Sequence, residues 1–216
     1  MSSIITALKT KGKRSHKVVI HLDEEPAFSL APVLAATLRV GQTLNERQIA
    51  ELKDRQALEE AYQRALSLLS RRPRSRFELR QYFKHRKIAS RIAELVLKRL
   101  DERGLVDDQS FAHAWIENRS TFRPRGPWAL RAELRQKGIS SEIIDDALED
   151  FDQEAAAYKA ALKVAPRWQE LKPEDFQRRL NAYLSRRGFD YQILSRVISR
   201  VEREIDARTD ESEDVK

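Results

Sequence analysis

Three stretches of this chain lie over one another without a gap. Residues 79–89 read LRQYFKHRKIA, residues 130–140 read LRAELRQKGIS, and residues 180–190 read LNAYLSRRGFD. Leu79, Leu130 and Leu180 align, and so do Phe83, Leu134 and Leu184 four residues on. Four further stand Lys87, Gly138 and Gly188, each followed by an apolar residue, Ile88, Ile139 or Phe189. A period of about 50 residues means that one supersecondary unit is repeated, and this constrains the fold more than any composition figure does.

The apolar spacing identifies the unit. Upstream of each copy come an aromatic residue, two variable positions, alanine and a large apolar residue: YQRAL at 62–66, FAHAW at 111–115 and YKAAL at 158–162. That spacing places Phe111, Ala114 and Trp115 on one helical face, where a packed core is the expectation rather than a cofactor box. A second helix opens at the capping box Ser75-Arg76-Phe77-Glu78, at Gly126-Pro127 and at Lys172-Pro173, where proline in the first turn gives up no hydrogen bond. Gly138 and Gly188 fit the left-handed residue that ends a helix, with Ile139 and Phe189 as its apolar followers. The first copy has Lys87 instead, so its joint is expected to differ. A third helix, capped by Ser140 or Asp190, carries Ile92, Val96, Leu97 and Leu100 in the first copy. Ile143, Ala147, Leu148 and Phe151 match them in the second, and Ile193, Val197, Ile198 and Val201 in the third.

Units of this size bury little surface alone and lean on their neighbours. The expected fold is therefore mainly α, an elongated array of three tandem three-helix, helix-turn-helix-like repeats. Ahead of it, IITAL (4–8) and KVVIHL (17–22) read as short strands joined by the basic turn TKGKRS, a β-hairpin extension. Asn45 is placed to cap a helix that Leu58, Tyr62, Ala65, Leu66 and Leu69 continue. The expected divisions are an extension over 1–44, a helical lead-in with repeat 1 over 45–106, repeat 2 over 107–152 and repeat 3 over 153–205. An acidic, disordered tail is expected over 206–216.

Several chemistries drop out. The 216 residues include no cysteine, which removes disulfides, thiolate zinc sites and cysteine nucleophiles. The histidines at 16, 21, 85 and 113 have no metal-ligand spacing, and every glycine is isolated, so no loop resembles a phosphate cradle. Asp107-Asp108 is the most tempting carboxylate pair, but a helix N-cap ahead of Phe111 explains it better. The expectation is a non-enzyme with no catalytic residue, metal or cofactor. No apolar run suits a signal peptide or a membrane span, so a soluble, cytoplasmic, monomeric protein with no membrane partner is expected.

The charge has direction. The net +7 hides a central zone, 61–137, with 19 Lys+Arg against 8 Asp+Glu, while the remainder holds 22 against 26. Such a zone meets phosphate or an acidic protein surface. The candidates for nucleic-acid contact are Arg71, Arg72, Arg74, Arg76, Arg80, Lys84, Arg86 and Lys87, then Arg119, Arg123, Arg125, Arg131, Arg135 and Lys137. Arginine suits the role because its planar fork matches phosphate or carboxylate. Trp128, just after RPRGP, can stack on a base or pack into its module, and packing is the expectation. Helix-turn-helix modules would place their last helix in a major groove. In the second module that helix carries Glu142, Asp145, Asp146, Glu149 and Asp150, which a phosphate wall would repel. One basic and one acidic surface point instead to a composite partner, with Glu142, Asp145, Asp146 and Glu149 as candidates for a protein contact. A direct nucleic-acid-binding regulator of the helix-turn-helix type is the alternative.

An ordered set of residues resembles one family, the RecX regulatory proteins. It runs through Ala65-Leu66, Leu68-Leu69, Arg71, Arg72, Arg74, Ser75 and Glu78-Leu79. It continues with Leu100-Asp101-Glu102-Arg103-Gly104-Leu105-Val106-Asp107-Asp108, Phe111-Ala112 and Trp115. Arg119, Arg123, Gly126, Leu130, Glu133-Leu134 and Lys137-Gly138-Ile139 complete it. The similarity is strong over about 58–152 and weaker in the third module. It implies a non-enzymatic protein that binds in the groove of the RecA–DNA filament, with single- or double-stranded DNA inside it. It also implies inhibition or tuning of RecA strand exchange, ATP hydrolysis and coprotease activity in DNA repair and the SOS response. The basic candidates would then face DNA or filament.

Overall fold

The computed structural model describes residues 2–10 and 17–213, with side chains up to 205. Residues 1, 11–16 and 214–216 lie outside the described residues, and with them most of the TKGKRS stretch expected as a basic turn. The chain divides into two compact units. The first is Met1–Arg74 with Leu79–Val106, and the second is Ser75–Glu78 with Asp107–Lys216.

The first unit opens on strands β1 (Ser2–Thr10), β2 (Val18–Leu22) and β3 (Glu25–Leu30), then a short helix α1 (Pro32–Ala35) and strand β4 (Thr43–Asn45). They form one antiparallel sheet in the order β3-β2-β1-β4. The predicted pair is there, with Leu8 opposite Ile20 and Ile5 opposite Leu22, and two further strands widen the hairpin into a four-stranded sheet. β2 and β3 join through Asp23 and Glu24, both at positive φ (50° and 72°), the conformation of a two-residue hairpin turn. Asp23 accepts from the Ile4 N–H and Thr6 from the Glu24 N–H, which anchors the turn to β1. Ile5, Ile20, Leu30, Leu44 and Leu52 make the sheet's own core.

Helix α2 (Glu46–Leu69) starts on a complete capping box between Asn45 and Gln48. Its first half covers the sheet, and its second half supplies Ala61, Tyr62 and Ala65 to the first repeat. Helices α3 (Arg76–His85) and α4 (Ser90–Asp101) complete that repeat around Leu79, Phe83, Val96 and Leu100, all buried.

The second unit repeats the pattern twice. Helices α5 (Asp108–Phe122), α6 (Pro127–Gln136) and α7 (Ser141–Ala147) enclose Phe111, Leu130, Leu134 and Ile144. Helices α8 (Gln153–Leu162), α9 (Pro173–Arg186) and α10 (Tyr191–Glu213) enclose Leu180, Leu184, Leu194 and Val197. Phe151 packs against both cores. The predicted apolar stripes face inward, with one difference in the first helix of repeat 2. Ala114 is exposed there, and Ala112 and Ile116 fill the interior instead. The backbone of α10 is helical to Glu213, within the stretch 206–216 for which the composition predicts a disordered tail.

The joints after the second helices are alike in all three repeats. Gly138 and Gly188 take φ of 74° and 82°, and Lys87 takes 55°. Ile88, Ile139 and Phe189 each donate back to the carbonyl five residues earlier, at Phe83, Leu134 and Leu184, over 3.0, 3.1 and 3.4 Å. This is the six-to-one bond of a left-handed helix stop. The expected difference at Lys87 is therefore absent, because the stop is fixed by its backbone bonds and lysine adopts the strained conformation. An L-residue there costs about 1–2 kcal/mol, partly offset by the larger unfolded-state entropy of glycine. Lys87→Gly should thus raise stability by about 0.5–1 kcal/mol in urea denaturation. No gain would mean that the left-handed turn carries no strain.

Candidate nucleic-acid and partner interface

The basic residues fall into two groups by what holds them. In the first unit, Arg80 lies on the outer face of α3 and makes a paired hydrogen bond to Glu94 on α4, at 2.8 and 2.9 Å. In the second unit Arg131 occupies the equivalent place on α6 and reaches Asp145 on α7 at 3.3 Å. Each pair spans fourteen residues, so it is a device repeated with the module. One turn beyond each arginine come Lys84 and Arg135, exposed, with no carboxylate within 4 Å among the described residues. Both sit in the last turn of their helix, where the aligned backbone carbonyls favour positive charge.

Around Lys84 the first unit adds Lys87, exposed, and Arg86, which lies over the Tyr82 ring at 5.6 Å. The loop after α2 carries Arg71 and Arg72, both exposed, and Arg74, whose Nε is buried without a hydrogen-bond partner. Arg72 donates to the Pro73 carbonyl at 2.9 Å.

In the second unit Arg119, Arg125 and Lys137 belong to a half-buried network centred on Glu133. The Glu133 carboxylate accepts from Trp115 Nε1 at 2.8 Å and from Arg119 Nε at 2.7 Å, and Arg125 approaches to 3.5 Å. Arg119 also lies over the Trp115 ring at 4.3 Å, and Lys137 at 5.1 Å. Lys137 Nζ donates to Glu78 at 2.7 Å. Arg119 and Lys137 are only about a quarter exposed, 25% and 27%, so much of their charge is used inside the unit, whereas Arg125 is more open at 40%. Arg123 and Arg135 stay exposed. Repeats 1 and 3 have a cation–π version of this brace, Arg99 over Tyr62 at 3.9 Å and Arg200 over Tyr158 at 4.0 Å. In repeat 2 Phe111 replaces the tyrosine and stacks on Trp115.

The starts of the second helices form close backbone contacts within the second unit. Ser75 Oγ donates to the Lys137 carbonyl at 2.7 Å and accepts from the Glu78 N–H at 3.1 Å. The Arg76 N–H donates to Asp108. In the same way the Gly126 and Trp128 N–H groups donate to the carbonyls of Arg187 and Gly188, at 2.9 and 3.3 Å. Phe77 and Trp128, equivalent by position, flank these contacts. Trp128 is 81% exposed, which corrects the expected packing. Its backbone serves the contact, and its ring is left outside.

Of the acidic candidates, Asp145 is held by Arg131 and Asp146 accepts from Gln109 at 2.9 Å, near His113. Glu142 and Glu149 are exposed without a partner among the described residues. Asp107 accepts from the Gln109 and Ser110 N–H groups, so the predicted N-cap stands. The Ser110 hydroxyl and these N–H groups hold its carboxyl below the ordinary range, and Asp108 serves Arg76. Among the described residues no three His, Asp or Glu side chains gather as metal ligands, and no helix is long and apolar enough to cross a membrane.

Known proteins share this pattern. Residues 61–100, 107–148 and 152–198 match the first, second and third three-helix domains of RecX. The regulatory protein RecX of Bacillus subtilis is 31% identical over 211 residues, covering 95% of this chain and 80% of that protein. The RecX of Chlorobium phaeobacteroides is 39% identical over 143 residues, covering 65% of this chain and 93% of its own length. A crystal structure of regulatory protein RecX superposes with a TM-score of 0.73 at 28% identity, over 90% of this chain and 98% of that one. RecX from Lactobacillus salivarius shares the fold at a TM-score of 0.61 and 23% identity, over 68% and 97%. With all three repeats matched in order and the similarity running almost end to end, this chain belongs to the RecX family of regulatory proteins.

Proposed function

We propose that this chain binds in the groove of the RecA–DNA filament and inhibits RecA's recombinase, ATPase and coprotease activities in DNA repair and the SOS response, without catalysing a reaction itself. The observation that carries this reading is the recurrence of an exposed cation, Lys84 and then Arg135, at one position of successive repeats, neither with a carboxylate partner among the described residues. A partner that is itself periodic and phosphate-rich suits a charge that recurs with the module. Arg71, Arg72, Arg74, Arg76, Arg80, Arg86, Lys87, Arg119, Arg123, Arg125, Arg131 and Lys137 extend the basic surface toward DNA or filament. The already paired ones act chiefly by shaping it. Glu142, Asp145, Asp146 and Glu149, all exposed, are the residues to meet basic patches on the recombinase. The chain acts as a cytoplasmic monomer.

The test is RecA's DNA-dependent ATP hydrolysis at rising amounts of this protein. The rate should fall, and the double variant Lys84→Glu/Arg135→Glu should need roughly tenfold more protein for half the effect. A flat response with the native protein would sink the reading. Binding to RecA-coated DNA should also greatly exceed binding to bare DNA at physiological salt, where simple phosphate contacts have weakened steeply.

A further inference from the structure

Among the described residues Trp128 is the most exposed large apolar one, and the core and ion-pair networks leave it unused. Its mounting is rigid. The Trp128 N–H is tied to the Gly188 carbonyl at 3.3 Å, and the Gly126 N–H to the Arg187 carbonyl at 2.9 Å. An indole fixed by its backbone and left in solvent is a platform with little ordering cost on binding. Beside it lies a groove of about 470 Å³, lined among others by Trp128, Arg131, Gln153 and Phe189. Gln153 Oε1 is buried and has no hydrogen-bond partner. Buried acceptors left alone are rare and costly, and a turn of the Gln153 amide into the groove would bring this carbonyl to a donor on a ligand. Arg131 shares its Nε with exposed Asp145 at 3.3 Å, a surface pair weak enough to yield to a phosphate. Asp190 also lines the groove, but its carboxylate is engaged by the Gln192 N–H.

We propose that Trp128, Gln153 and Arg131 form a nucleobase-stacking site for single-stranded DNA. The base lies on the indole, an N–H on its edge donates to Gln153 Oε1 once that amide has turned into the groove, and the adjoining phosphate meets Arg131. A duplex cannot use such a site, because its bases are already stacked on each other. An apolar side chain of a protein partner would leave Gln153 Oε1 unsatisfied. The inference rests on the nucleic-acid side of the proposed function, but its test needs no recombinase.

The full-length protein is titrated into a labelled single strand of about a dozen nucleotides, and into an abasic strand of equal length, at low salt. Trp128→Ala should weaken binding to the normal strand by between about fivefold and a hundredfold, while Trp128→Phe keeps most of it. The abasic strand should bind native protein and Trp128→Ala equally and weakly. Equal affinity of Trp128→Ala and native protein for the normal strand would overturn the site, and so would tight native binding to the abasic strand. If Trp128→Ala loses affinity for DNA-free RecA but keeps that for the strand, Trp128 is a protein-docking residue and the site is likewise overturned. A flat RecA ATPase response alongside Trp128-dependent strand binding would remove the filament reading and leave this one.

Discussion

Gly188→Ala should lower the stability of the second unit by about 3–4 kcal/mol, through two effects that other glycines separate. Gly188 holds φ of 82°, where an L-residue is strained by about 1–2 kcal/mol. An added Cβ would also stand 2.5 Å from the Ala129 nitrogen and 2.7 Å from its Cβ, and overpacking of that kind costs about 1–3 kcal/mol. Gly126 isolates the crowding. Its φ is an ordinary −78°, yet a Cβ there would lie 2.1 Å from the Gly188 carbonyl oxygen, so Gly126→Ala should cost about 2–3 kcal/mol. Gly104 isolates the strain, with φ of 64° and nothing within 4 Å of a new Cβ, and Gly104→Ala should cost about 1 kcal/mol. Urea or calorimetric unfolding of the three variants ranks them. If Gly126→Ala proves as mild as Gly104→Ala, the start of α6 does not press against the α9–α10 joint. Gly126 and Gly188 touch, so the double variant should not be additive.

Glu133→Ala should be nearly as damaging, at about 2–3 kcal/mol. The carboxylate is 20% exposed and satisfies Trp115 Nε1 and Arg119 Nε together, with Arg125 beside it. Removing it leaves an indole N–H and a half-buried guanidinium without their acceptor, and truncating one partner of a shielded charge pair is worse than losing a surface one. Glu133→Gln, which keeps an oxygen acceptor but no charge, should lose roughly half as much. The check is the melting temperature together with the emission of Trp115. Its spectrum should shift red in Glu133→Ala as the ring loosens. An unchanged melting temperature would show that water replaces the carboxylate at no loss, and that the network does not brace α5 against α6.

The helices were legible in the sequence because their determinants are local. Apolar periodicity, proline at the first turn and glycine after the last one act within a few residues, and α6 and α9, with Pro127 and Pro173 at their starts and Gly138 and Gly188 past their ends, begin and stop as they dictate. The sheet was half legible. Val18, Ile20 and Leu22 alternate, but the turn at Asp23-Glu24 lacks the glycine that announces a hairpin, and Pro26 sits in β3, which is tolerated because β3 is an edge strand. The network around Glu133 was not legible, since its members are 14 and 18 residues apart and meet only through the packing of α5 on α6. A signal existed in the repeat itself. Arg80 with Glu94 and Arg131 with Asp145 share one spacing, and aligning opposite charges across modules would have shown that some of the basic cluster is paired. The exposure of Trp128 is not legible in the sequence, because an apolar residue in a first helical turn faces core or solvent according to what the backbone beside it must reach.

The left-handed joints also say where the array begins. Glycine is demanded at 138 and 188 because Phe77 and Ala129 lie where a Cβ would go, so each of these joints receives the helix start of the repeat before it. Lys87 heads the series with no earlier repeat to receive, and its side chain is free to project into solvent. The lysine thus works as an end-stop. Grafting another module in front of the first would first require its replacement by glycine, whereas lengthening the array at the opposite end would set no such condition on residue 87.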